Sequence, residues 1–177
     1  SALYGGDALS GVIHFITRTG EQKSIKLETG NQGQLNTNLT LSQDISKNSH
    51  ALFSLSHSEQ ERTEFDKYTN TQAMAKFQHV GRNHQNALIV SYSQLENSGF
   101  GEDSGGEVYA LPHVAEQKDA EQWLVGLNST YTWQDELDLH TSLSWQRHQS
   151  STQSPGLIEG VFDGIPPSDV DTEHNSL

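Results

Sequence analysis

The stretch that decides the fold is Gln122–Gln146, QWLVGLNSTYTWQDELDLHTSLSWQ. Trp123, Val125, Leu127, Tyr131 and Trp133 alternate with Gln122, Gly126, Asn128, Thr130 and Thr132. Leu137, Leu139, Leu143 and Trp145 then alternate with Asp138, His140, Ser142, Ser144 and Gln146. A period of two puts successive side chains on opposite faces of a strand, so each run has one apolar and one polar face. Opposed residues of an antiparallel hairpin point to the same side. A three-residue turn, Gln134-Asp135-Glu136, satisfies that rule by pairing Trp133 with Leu137, Leu127 with Leu143 and Val125 with Trp145. A two-residue turn puts the faces out of phase and is rejected.

Working outward, the same period recurs back to about residue 23. Ile25, Leu27 and Thr29 oppose Lys26 and Glu28, and Leu35, Thr37, Leu39 and Leu41 alternate with Asn36, Asn38, Thr40 and Ser42. Ala51, Phe53 and Leu55 follow, with Leu52 as a misfit on the polar side. Ala73, Ala75 and Phe77 make a weaker run, and Leu88, Val90 and Tyr92 a fifth. The pattern therefore predicts about seven strands, of about 10 to 14 residues where ordinary strands peak at about 5 to 6. Helical periodicity is hard to find.

Composition bounds what such strands build. The 177 residues include 10 Lys+Arg against 23 Asp+Glu, a formal charge of −13, with 32% hydrophobic residues and no cysteine. A net acidic chain is a poor match for nucleic-acid phosphates. Without cysteine there are no disulfides, thiolate metal sites or cysteine nucleophiles. No apolar run reaches the roughly 18 residues of a membrane-spanning helix. Low average hydropathy is nonetheless compatible with a transmembrane β-barrel, where alternate residues face a polar lumen.

Connector lengths are asymmetric. Short turns are predicted at about Asp44 to Asn48, Gly81 to His84 and Gln134 to Glu136. The intervening connections lengthen along the chain, from Gly30–Gly33 to long loops at about 59–69, 96–120 and 149–177. Short turns at one end and long loops at the other mark outer-membrane barrels. Trp123 and Trp133, ten residues apart on one face, span roughly 25 Å along the membrane normal at ~3.3 Å per residue and ~40° tilt, the height of an apolar band between aromatic girdles.

The opening residues differ. Gly5-Gly6 and Gly11 precede Val12, Ile13, Phe15 and Ile16, a nearly continuous apolar run that predicts a strand buried on both faces. Tyr4-Gly5-Gly6-Asp7-Ala8, then Gly11-Val12-Ile13 and Ile16-Thr17, resembles the end of the plug domain of TonB-dependent outer-membrane receptors, whose pattern Y-G-x-x-A-x-x-G-V-I-x-x-I-T leads into the first barrel strand. His14-Phe15 departs from the Asn-Ile more usual there without disturbing the spacing. The matching segment is about a tenth of the chain.

That resemblance implies a fold class and a function. It implies an all-β chain in which residues 1–20 end a plug and 21–177 begin a large antiparallel barrel. Both termini are then expected to be cuts inside a longer protein, because no signal peptide opens the chain and Glu173–Leu177 reads as a polar loop-like tail. The implied function is energy-coupled import of a scarce nutrient across the bacterial outer membrane, most readily a ferric siderophore or other iron chelate, with haem or a vitamin such as a corrinoid as related cargo. No catalytic chemistry and no resident cofactor are implied. The implied partners are outer-membrane lipid and a TonB-type inner-membrane coupling protein, engaged through a region outside these residues.

Candidate sites follow. The resemblance implies plug-motif roles for Tyr4, Gly5, Asp7 and Gly11. Phe65, Tyr68, Phe100, Tyr109 and His113, with Phe162 and His174, lie in predicted loops where rings can stack on a ligand face. Glu102-Asp103 and the series Asp163, Asp169, Asp171 and Glu173 offer hard oxygen ligands without EF-hand spacing, and His113 with Glu116 and Asp119 has no scaffold signal, so no metal site is assigned. No serine sits in a G-x-S-x-G elbow. The competing reading is a soluble all-β adhesin or carbohydrate-binding sandwich, which hides the same apolar face in a core. A passive porin or an outer-membrane enzyme lacks the plug motif.

Overall fold

The computed structural model describes residues 21–63, 65–100, 115–133, 137–155 and 166–177. They form eight strands, β1 (Gln22–Thr29), β2 (Leu35–Ser46), β3 (Ser49–Glu61), β4 (Lys67–Val80), β5 (His84–Gly99), β6 (Glu116–Trp133), β7 (Leu137–Ser154) and β8 (Ser168–Ser176). All pair antiparallel with their chain neighbours in one open sheet of order β1 to β8. The expected all-β meander is thus present with one strand more than the sequence pattern predicts. Among the described residues no helix is long and apolar enough to cross a membrane.

The Trp133↔Leu137, Leu127↔Leu143 and Val125↔Trp145 pairings occur as the turn argument requires. Two expectations are corrected. Glu173–Leu177 is not a loop-like tail, because residues up to Ser176 belong to β8, in register with β7 from Gln146↔Ser176 to Ser154↔Ser168. The loop expected over 149–177 is accordingly interrupted, β7 continuing to Ser154. The other two predicted loops also shrink. β3 and β4 leave only residues 62–66 between them, and β5 and β6 reach Gly99 and Glu116.

Turn chemistry explains the hairpin ends. Between β1 and β2, Gln32 (φ 60°) and Gly33 (φ 66°) both take positive φ, and Gln34 N donates to Asn31 O at 3.4 Å. That is the primed turn whose twist matches a right-handed hairpin. Lys47-Asn48 joins β2 to β3, and Gly81–Asn83 joins β4 to β5. Each of these turns accepts a backbone bond from the next strand over, Val80 N to Asn48 O and Thr132 N to Asn83 O, both 2.8 Å. The sheet continues without interruption to its turn edge.

Candidate functional site

Register sorts the side chains into two faces. One carries Leu39, Leu55, Ala73, Tyr92 and Trp123 in a row, then Leu41, Phe53, Ala75, Val90, Val125 and Trp145, then Ala51, Phe77, Leu88, Leu127 and Leu143. We call this the dry face. No layer of chain covers it among the described residues, so Leu143 is 62% exposed, Leu137 66% and Ile25 77%. Contiguous apolar surface of this kind is exposed among the described residues, where isolated surface apolar residues would need no explanation. It includes a groove of about 640 Å³ lined by Leu41, Phe53, Phe77, Leu88 and Val90.

The stripe crosses the strands at a slant. On β1 its residues Ile25 and Leu27 centre on Lys26, which aligns through Asn38, Ser56, Gln72, Ser93 and Gln122 with His148 on β7. On β7 the apolar residues Leu137, Leu139, Leu143 and Trp145 centre instead on Thr141. The slip is about seven residues over six strand steps, and at ~3.3 Å per residue and ~4.8 Å per step it inclines the stripe about 39° from the perpendicular to the strands.

Aromatic contacts sit at both ends of the stripe on β6. Tyr92 and Trp123 meet at 4.6 Å between ring centroids, and Tyr131 and Trp133 meet edge-on at 6.2 Å. One polar row interrupts the stripe: Ser49, His79, Asn86, Ser129 and Thr141. Four of its five members pair, Ser129 Oγ donating to Asn86 Oδ1 at 2.7 Å and Ser49 Oγ bonding His79 Nδ1 at 2.8 Å. These bonds satisfy polar groups that stand among apolar side chains.

Loopward of the Tyr92–Trp123 row the same face changes character. It carries Glu59, Glu61, Glu96, Asp119, Glu121, Asp169, Asp171 and Glu173. Lys67 Nζ meets Glu61 at 2.8 Å, and Arg147 Nε lies 3.4 Å from Glu173. The latter contact fails hydrogen-bond geometry, leaving the Arg147 Nε without a bonded acceptor. A concavity of about 400 Å³ opens among Gln94, Asp119, Glu121, Gln149 and Asp171. Among the described residues no three His, Asp or Glu side chains converge to hold a metal ion.

The opposite face is wet and nearly uncharged across the middle of the sheet, with Asn38, Ser56, Gln72, Ser93, Gln122 and His148 in one row. Directly opposed pairs bond across β6 and β7: Thr132 to Asp138 at 2.7 Å, Thr130 with His140 at 3.0 Å, and Ser142 to Asn128 at 2.8 Å. Hydroxyls and amides that satisfy one another need no catalytic role.

Of the predicted ring contacts, Phe65 and Phe100 are brought together, with centroids 6.3 Å apart. Tyr68 is not a loop residue; it stands on β4 opposite Asn97. His174 lies on β8 opposite His148. Glu116 and Asp119 fall on opposite faces of β6, three residues apart, which removes the grouping with His113. Tyr4, Gly5, Asp7, Gly11, Tyr109, His113 and Phe162 lie outside the described residues. One constellation was invisible in the sequence: Ser42, Asp44 and His50, joined at the β2–β3 turn.

No protein-family model, curated protein or solved structure matches the chain.

Proposed function

We propose that the chain is the plug end and first part of the barrel of an energy-coupled outer-membrane receptor that imports a scarce nutrient, an iron chelate by preference. The observation that supports the membrane part is the slanted dry stripe. A bilayer is flat while barrel strands tilt by about 35–45°, so a lipid-facing band must cross the strands obliquely, and the inclination here falls in that range. Exposure of the stripe, aromatic pairs at its two ends on β6 and hydrogen-bonded polar groups within it fit the same environment. Connectors that lengthen at one end only fit loops reaching outward and turns facing the periplasm. The cargo rests on the plug motif around Tyr4 to Thr17 and on the rings Phe65 and Phe100 at the loop edge.

The test is uptake by iron-starved cells carrying the full-length gene or its deletion, with radioactive iron supplied as a panel of chelates. Uptake of one chelate that needs both the gene and the proton gradient supports the proposal. Membrane insertion without energy-dependent uptake of any chelate, haem or corrinoid removes the transport reading. Recovery of the full-length protein in the soluble fraction removes the membrane reading as well, and leaves the soluble sandwich.

A further inference from the structure

The two ends of the sheet treat their cations differently. Loopward, Lys67 lies 2.8 Å from Glu61, Arg147 3.4 Å from Glu173 and Arg62 3.7 Å from Asp66. At the turn end, Lys47 in the β2–β3 turn and Arg82 in the β4–β5 turn are exposed, and neither side chain makes an ion pair or hydrogen bond among the described residues. From β2 to β5 the one carboxylate at that end, among the described residues, is Asp44, which His50 Nδ1 meets at 2.7 Å. The exposed apolar groove therefore lies between an acidic end and an edge whose positive charge has no counterpart within the sheet.

Register builds the groove. Ala51 stands opposite Phe77 and Phe53 opposite Ala75, so the two alanines make a low diagonal between two rings. Its lining runs turnward through Gln43 and Ile45, two residues short of Lys47. Lys47 itself lines a smaller concavity of about 170 Å³ with Ser49 and Val80. The bond from Val80 N to Asn48 O ties the β2–β3 turn to the end of β4. Lys47 and Arg82 thus stand on neighbouring turns, two strand steps or about 9.6 Å apart at ~4.8 Å per step. Beside Arg82, the exposed His84 ring lies over Gly81, where an added Cβ would strike it, and stacks on His79 with centroids 5.4 Å apart. His79 Nδ1 is taken by Ser49, whereas the His84 ring makes no hydrogen bond among the described residues.

We propose that this end of the sheet seats one anionic phospholipid of the turn-side leaflet, with an acyl chain along the Ala51–Ala75 groove and the phosphate against Lys47 and Arg82. The inference rests on the membrane reading and adds to it a particular partner. The occupant must be long and apolar at one end and anionic at the other, because groove and cations adjoin. A guanidinium forks onto two phosphate oxygens, an ammonium adds a point charge, and the His84 ring N–H is a further donor at the same edge. Only one orientation is allowed, since Asp119 and Glu121 at the loopward end of the same face repel a phosphate.

The experiment delipidates full-length protein in non-ionic detergent micelles, titrates it with phosphatidylglycerol or with diacylglycerol of the same chains, and reads retained lipid by native mass spectrometry. Wild-type protein is expected to retain phosphatidylglycerol in preference to diacylglycerol. Lys47→Gln and Arg82→Gln are each expected to weaken phosphatidylglycerol retention about five-fold, with no effect on diacylglycerol. Ala75→Leu, which fills the groove, is expected to weaken both lipids, and Lys118→Gln on the wet face neither. Circular dichroism and heat-dependent gel migration confirm that each variant is folded. Equal retention of the two lipids by folded, micelle-bound wild-type protein overturns the proposal and leaves the membrane reading standing. So does unchanged phosphatidylglycerol retention in the folded Lys47→Gln, Arg82→Gln double variant. Full-length protein that stays soluble without detergent and retains neither lipid overturns both.

Discussion

The dry face is two surfaces joined at the Tyr92–Trp123 row. Turnward of it the side chains are mostly apolar, broken by the Ser49–Thr141 polar row, and loopward on β3 to β8 they are mostly carboxylates, amides and hydroxyls, although strand geometry continues unchanged through both halves. Strand formation is therefore indifferent to what a face touches, because the backbone ladder is satisfied either way. The surroundings of each half are recorded only by its residue types. An apolar half exposed beside an acidic half is what the proposed membrane reading expects where one sheet passes from lipid to water.

Substitutions of one kind on the two halves separate the media. Leu143→Arg places a charge in the stripe and is expected to cost about 2–4 kcal/mol if that half meets lipid, read by denaturant unfolding of full-length protein in lipid vesicles. A cost under about 0.5 kcal/mol, ordinary for a water-exposed site, breaks the comparison. On the loopward half the backbone matters more than side chains. Gly33 holds φ 66° against β3, where an added Cβ comes within 3.3 Å of Glu61 O, so Gly33→Ala is expected to cost about 1–2 kcal/mol in the same measurement.

At the boundary, Trp123→Leu keeps an apolar side chain but loses the ring contact with Tyr92. The expected loss is about 1 kcal/mol, together with loss of the boundary tryptophan's quenching by lipids brominated near the headgroup. The smallest effects belong to the acidic half. Ser151→Arg, between Asp119 and Asp171 in register, and Glu173→Gln, which removes the Arg147 contact, are each expected to change stability by less than about 0.5 kcal/mol. Effects of 2 kcal/mol or so at either would mean that this half is covered.

Much of the sheet was legible in the residues. Period-two runs located β2, β3 and β5 to β7, and the face-matching rule set the β6–β7 register through Trp133 and Leu137. β8 was not legible, because Val170 is the lone aliphatic residue of SDVDTEHNS and every residue of the strand is exposed. It is recruited by main-chain pairing with β7, which leaves no side-chain signature. The Ser42, Asp44 and His50 group was hidden for another reason. A turn placed at Asp44–Asn48 reads Asp44 as a loop residue, whereas the strand runs to Ser46 and shifts register to bring Asp44 opposite His50.

The sequence by itself determined which residues share a face and that the strands form a meander, since alternation and turn length act over a few residues. Tertiary structure decided how the faces line up from strand to strand: the slant of the apolar stripe, its abrupt end at Trp123 and the hydroxyl–imidazole–carboxylate alignment at Ser42. Those depend on inter-strand register, which is set by bulges and backbone pairing between residues far apart in the chain.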